Sequence, residues 1–121
     1  MYFPPRELEV MSVLWRLGSA SVAEVRAELK DPLAYTSVLS ALQTLEEKEC
    51  VRHEPEGRAY RYYPTVDAKY AGKSAVARIK DAIFEGSAER MFAQLVSDRH
   101  ITQEELQRMQ QLIAERLEHE S

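Results

Sequence analysis

Residues 35–63 read YTSVLSALQTLEEKECVRHEPEGRAYRYY, and within that stretch the spacing of the apolar side chains changes from helical to alternating. Val38, Leu42 and Leu45, with Leu39 alongside, recur at helical spacing from roughly Tyr35 to Lys48. They leave Thr36, Ser37, Ser40, Gln43, Thr44 and Glu47 on the outer face, which is polar and almost uncharged. From Val51 to Tyr63 the period is two. Val51 and His53, then Tyr60 and Tyr62, flank Pro55-Glu56-Gly57-Arg58, the composition of a turn between two strands. A polar-faced helix thus runs into a short β-hairpin that carries Arg52, Arg58 and Arg61.

Working outward, Leu8, Met11 and Trp15 form an apolar stripe widened by Val10 and Leu14, and Gly18 supplies a residue suited to ending a helix, so a helix is expected over about 5–17. Ser21 and Glu24 make an S-x-x-E capping box ahead of Val22, Val25 and Leu29, and Asp31-Pro32 stops propagation. That places a second helix over about 22–30. Three short helices followed by a hairpin is the order of a winged helix-turn-helix. Downstream, Asp67 begins a long helix to about Phe84 with Gly72, Val76, Ile79 and Ile83 on one stripe. Gly86-Ser87 ends it and starts a shorter helix bearing Met91, Phe92, Leu95 and Val96; Thr102 and Glu105 cap a last one with Leu106, Met109, Ile113 and Leu117. Helices this slim do not bury their stripes alone, and a symmetric dimer is the commonest solution. The expected fold is mainly α with a small β-hairpin: a winged helix-turn-helix domain over residues 1–66, followed by an all-helical dimerisation domain over 67–121. Its expected dimer contacts are Val76, Ile79, Ile83, Met91, Phe92, Leu95, Leu106, Met109, Ile113 and Leu117.

Composition narrows the function. The 121 residues carry 16 Lys+Arg against 20 Asp+Glu, a net charge of −4, with the deficit split evenly between the two halves. Such a chain is a poor indiscriminate polyanion binder, so weak non-specific DNA binding and useful affinity only as a dimer are expected. The one cysteine, Cys50, excludes an internal disulfide. No apolar run approaches the ~18 residues of a membrane span, and the N-terminus lacks a cationic stretch leading into an apolar one. A cytoplasmic location without membrane insertion is therefore expected. Adjacent carboxylates such as Glu46 with Glu47, or Glu104 with Glu105, do not converge as an acid/base pair would, and no nucleophile elbow, phosphate loop or zinc-binding helix signature is present. Cys50 and His53 have the spacing of half a metal site without further ligands. Neither enzyme activity, nor a metal, nor a cofactor is expected.

The polar helix face has the chemistry to read DNA. The ~12 Å major groove admits a helix, Gln43 is able to pair bidentately with adenine, and Ser37, Ser40 and Thr44 reach bases or phosphates. Tyr35 and Thr36 sit at the helix start, where backbone N–H groups favour a phosphate. Arg58 and Arg61 lie where a wing would meet the DNA backbone. The competing reading is a winged-helix module that binds another protein and no DNA.

Together Leu8-Glu9-Val10-Met11, Val13-Leu14-Trp15, Leu33-Ala34-Tyr35-Thr36-Ser37-Val38-Leu39, Leu45-Glu46-Glu47-Lys48 and Gly57-Arg58-Ala59-Tyr60-Arg61-Tyr62 resemble the BlaI/MecI penicillinase-repressor family of bacterial transcription regulators. The resemblance implies a homodimeric repressor on a palindromic operator with TACA/TGTA half-sites, and in the antibiotic-linked members a membrane sensor-protease as a further partner. Three positions depart from it. Glu49 stands where similar sequences have Gly, which predicts a modest backbone cost at the exit of the third helix. The clustered C-terminal cysteines of the copper-responsive branch are missing after Cys50. The Asn-Phe bond cut in the resistance repressors aligns with Gln94-Leu95 here, which puts release by cleavage in doubt.

Overall fold

Pro5 opens the first helix with its fixed φ and missing N–H, both suited to an N1 position. In the computed structural model, which describes residues 2–120, helix α1 (Pro5–Leu17) leads to a two-residue strand β1 (Ala20–Ser21), then α2 (Val22–Glu28), α3 (Tyr35–Glu47), β2 (Val51–Glu56), β3 (Ala59–Pro64), α4 (Ala68–Phe84), α5 (Ala88–Val96) and α6 (Gln103–Glu120). The architecture is mainly helical with a small antiparallel sheet, as expected. Contacts divide it into two compact units, one up to Val76 and one from Ala77 onward, with the boundary inside α4.

The first unit closes on its own core. Val10, Met11, Val13 and Leu14 from α1 meet Val22 and Val25 from α2, Val38, Leu42 and Leu45 from α3, and Val51 and Tyr62 from the sheet. Burying each large side chain contributes about 1.5–3 kcal/mol. The expected α1 stripe needs one correction: Leu8 is 45% exposed, and Val13 takes its place in the core. Trp15 borders the core, edge-on to Phe3, with its Nε1–H donating to the Val66 carbonyl at 2.9 Å. The S-x-x-E box is complete: Ser21 Oγ accepts from the Glu24 N–H, and the Glu24 carboxylate accepts from the Ser21 N–H. Helix α2 ends at Glu28, two residues earlier than Lys30, because Leu29 is already extended.

The sheet has the order β1-β3-β2, all antiparallel. Glu56 pairs with Ala59, so the turn is the two residues Gly57-Arg58 alone, and Pro55 and Glu56 belong to β2. Gly57 has φ +63° at the first turn position, where an L side chain would be strained. Pro55 donates no hydrogen bond, which is tolerated because β2 is an edge strand. Strand β1 escaped the sequence reading; two residues carry no periodicity of their own.

Helix α3 ends in a Schellman arrangement in which Cys50 N–H reaches the Leu45 carbonyl (2.9 Å) and Glu49 N–H the Glu46 carbonyl (3.0 Å). Glu49 fills the usual glycine position at φ +63°, so the chain accepts the expected backbone cost.

In the second unit, Ser87 Oγ caps α5 through the Arg90 N–H and Thr102 Oγ1 caps α6 through the Glu105 N–H. Asp67 Oδ1 does the same for α4 within the first unit, accepting from Tyr70 N–H. No described residue of the second unit is buried.

Candidate nucleic-acid interface

The outer stripe of α3 is set by helical periodicity: Thr36, Ser40, Gln43 and Glu47 fall four, three and four residues apart and are all exposed. Ser37 and Thr44 are set back on one flank and half-buried; Tyr35 is exposed on the other flank with Leu39 and Glu46. The helix therefore presents a crest of one carboxylate, two hydroxyls and one amide.

A trough runs along each flank. Between α1 and α3, Arg6, Glu7, Thr36, Ser37, Ser40, Ala41 and Thr44 enclose 330 Å³. Between α3 and the hairpin, Tyr35, Leu39, Gln43, Glu46, His53, Arg58 and Tyr60 are among the residues around 380 Å³. In this second trough the His53 ring lies against Tyr60 and Tyr62 and bonds the Glu46 carboxylate at 2.7 Å, tying β2 to α3. Tyr62 is buried beneath it, and burial pushes its phenol above the ordinary value.

The cations of this unit divide into occupied and unoccupied. Lys48 pairs with Glu7 at 2.6 Å, Arg52 with Glu54 at 2.7 Å, and Arg16 with Glu28 at 3.2 Å. Arg52 also stacks on the Tyr63 ring, 4.3 Å from its centroid. Arg61 is the most committed. Its guanidinium holds Glu56 and Glu24, the latter at 2.7 Å, and donates to Ser19 Oγ at 3.2 Å; the Glu56 bond above all raises its already high pKa further. Arg61 thus braces the hairpin against the start of α2, and a phosphate would compete with two carboxylates for it. Arg58, in the turn, is exposed and has no hydrogen-bond or ion-pair partner among the described residues. Sequence reasoning brought Tyr35, Thr36, Ser37, Ser40, Gln43, Thr44 and Arg58 to one surface, and the structure sets all seven on α3, its flanks or the adjoining turn. Arg6 also lines the α1–α3 trough, a place that no periodicity in the sequence connects to α3.

Cys50 and His53 do not converge. The thiol is fully buried and its pKa is raised by that burial, while His53 faces Glu46. Among the described residues, no group of three or more His, Cys, Asp or Glu is placed to hold a metal ion, and no helix is long and apolar enough to cross a membrane.

Three helices closed by a three-stranded sheet, with the polar helix outermost and a hairpin beside it, define a winged helix-turn-helix domain. Residues 3–115 match the penicillinase repressor family, and the chain belongs to that family, whose members are transcriptional regulators and not enzymes. It is 25% identical over 111 residues to the penicillinase repressor of Bacillus licheniformis, covering 90% of this chain and 87% of that protein. The solution structure of the DNA-binding domain of the repressor BlaI superposes with a TM-score of 0.51 at 32% identity, covering 55% of this chain and 83% of that one. A MarR family protein from Bacillus stearothermophilus, with a TM-score of 0.58, 12% identity and coverage of 98% of this chain and 76% of that one, is alike in fold alone.

Proposed function

We propose that the chain is a sequence-specific DNA-binding repressor, acting in the cytoplasm as a homodimer on a palindromic operator, by resemblance one with TACA/TGTA half-sites. Support comes foremost from the α3 crest: a hydrogen-bonding face, flanked by Arg6 and Arg58, which have no ion-pair partner among the described residues, on the domain type that the BlaI DNA-binding domain shares. In this reading α3 enters the major groove, Gln43 recognises adenine, Thr36 and Ser40 contact neighbouring base edges, and Arg58 holds the backbone from the wing. Arg61 acts through its brace on the hairpin.

The dimer is carried by the helices after residue 67. Val76, Ile79, Ile83, Phe92, Leu95, Leu106, Ile113 and Leu117 are all exposed in the single chain, and Met91 and Met109 are half-buried. A second copy covers these stripes at the lowest cost in new chemistry. Two-fold symmetry then requires inverted half-sites about 34 Å apart, or a multiple of it. Release by a sensor-protease, implied by the resemblance, meets an obstacle: Gln94-Leu95 lies inside α5, and cutting there requires that helix to open.

The test is selection of bound duplexes from a random pool by the full chain, with sedimentation of the free protein. An enriched inverted repeat and a dimer are expected. A stable monomer, or no enrichment even at low ionic strength, overturns the proposal.

A further inference from the structure

The α1–α3 trough has a chemistry of its own. Arg6 sits in the first turn of α1, where a cation runs against the helix dipole, so α1 gains nothing from it. It is exposed, and no hydrogen bond or ion pair engages it among the described residues. Glu7, the one acid lining the trough, is held by Lys48 at 2.6 Å with its side chain 14% exposed. That pair cancels, and the charge left in the trough is Arg6's. The rest of the polar lining is hydroxyl: Thr36, Ser37, Ser40 and Thr44. Thr36 and Ser40 belong to the crest, and the Arg6 guanidinium beside the Ser37 and Thr44 hydroxyls on the flank matches an anion with several acceptor oxygens.

Position agrees with chemistry. A helix about 10–12 Å across fills the major groove, so the two phosphate strands run along its flanks and not over its crest. The wing side has Arg58 for one strand; the trough lies on the other.

Resting on the DNA-binding reading above, we propose that the α1–α3 trough is the seat of one backbone phosphodiester, with Arg6 as its cation and the Ser37 and Thr44 hydroxyls as flank donors. The α3 face is thereby sorted: the crest reads sequence and the α1 flank reads backbone.

The full-length Arg6→Gln variant tests this, titrated over a range of salt against the duplex enriched from the random pool and an unrelated duplex of the same length. Arg6 is exposed and makes no hydrogen bond or ion pair among the described residues, so the variant should keep the fold. The expected result is an affinity lowered about 3–10-fold on both duplexes, a salt slope shallower by about 0.9 per subunit, and an unchanged enriched sequence. Gln43→Ala provides the contrast, altering the enriched sequence while leaving the slope in place. Wild-type slope and affinity in Arg6→Gln overturn the phosphate seat while leaving the repressor reading intact; so does a changed enriched sequence, which would make Arg6 a base reader. Failure of the wild-type chain to bind any duplex overturns both.

Discussion

The two compact units are built from the same kind of amphipathic helix, yet only one completes its burial alone. In the unit up to Val76, Met11, Leu14, Leu42 and Leu45 are fully buried; in the unit from Ala77 onward, Ile83, Leu112 and Leu117 each remain 65% exposed. The first unit folds helices around a three-stranded sheet and so encloses a volume. The second has helices alone, and its apolar stripes lack a lid among the described residues. The one completes its core within the unit, whereas the other leaves its apolar stripes exposed.

The comparison breaks most readily at Leu42. Leu42→Ala should remove about 2–5 kcal/mol from the first unit, read in a denaturant melt and in Cys50 alkylation. The Cys50 thiol is fully buried and its pKa is raised by that burial, so it should resist alkylation in the native chain and react once the unit opens. Leu112→Ala, the same truncation in the other unit, should leave Cys50 protected. Next in size, Ile113→Asp with Leu117→Asp should dissociate the proposed dimer and weaken operator binding by about a hundredfold through lost bivalency, with the Cys50 protection unchanged. Sedimentation and duplex titration measure both, and a dimer that survives would move the interface elsewhere.

Smaller effects sharpen the account of the first unit. Ser21→Ala removes half of the capping box and should cost about 1 kcal/mol. Glu49→Gly should stabilise by about 0.5–1 kcal/mol, because glycine occupies φ +63° without side-chain strain; a destabilised variant would show that Glu49 earns its place by another contact. The smallest effect is a pH dependence. The Ser21 N–H, then its hydroxyl, hold the Glu24 carboxyl below its usual 4.5, with Arg61 adding to the effect. As pH falls below that value the unfolded chain takes up the proton first, so the box's contribution is present above about pH 4.5 and fades in more acid solution. Glu24→Gln should flatten that part of the stability profile.

Local signals were legible in the sequence and tertiary choices were not. The capping box at Ser21 and Glu24, the left-handed Gly18 and the change of period at Val51 each act within a few residues, and the elements they announce lie where expected. The two residues of β1 exist as a strand only because β3 lies beside them. Leu8 and Val13 both fit an α1 stripe, and which one faces inward depends on where α2 and α3 pack. The arginines illustrate the same limit at the interface. Arg58 and Arg61 are three residues apart and alike in sequence, yet Glu24, 37 residues distant, engages only Arg61. Arg6 belongs beside α3 because α1 delivers it there, a fact stored in the core packing.

One detail offers a practical handle. The single tryptophan donates its indole N–H to the carbonyl of Val66, two residues ahead of α4. Its fluorescence is a native gauge of that junction: a change that breaks this hydrogen bond should register as a spectral shift, with no label attached.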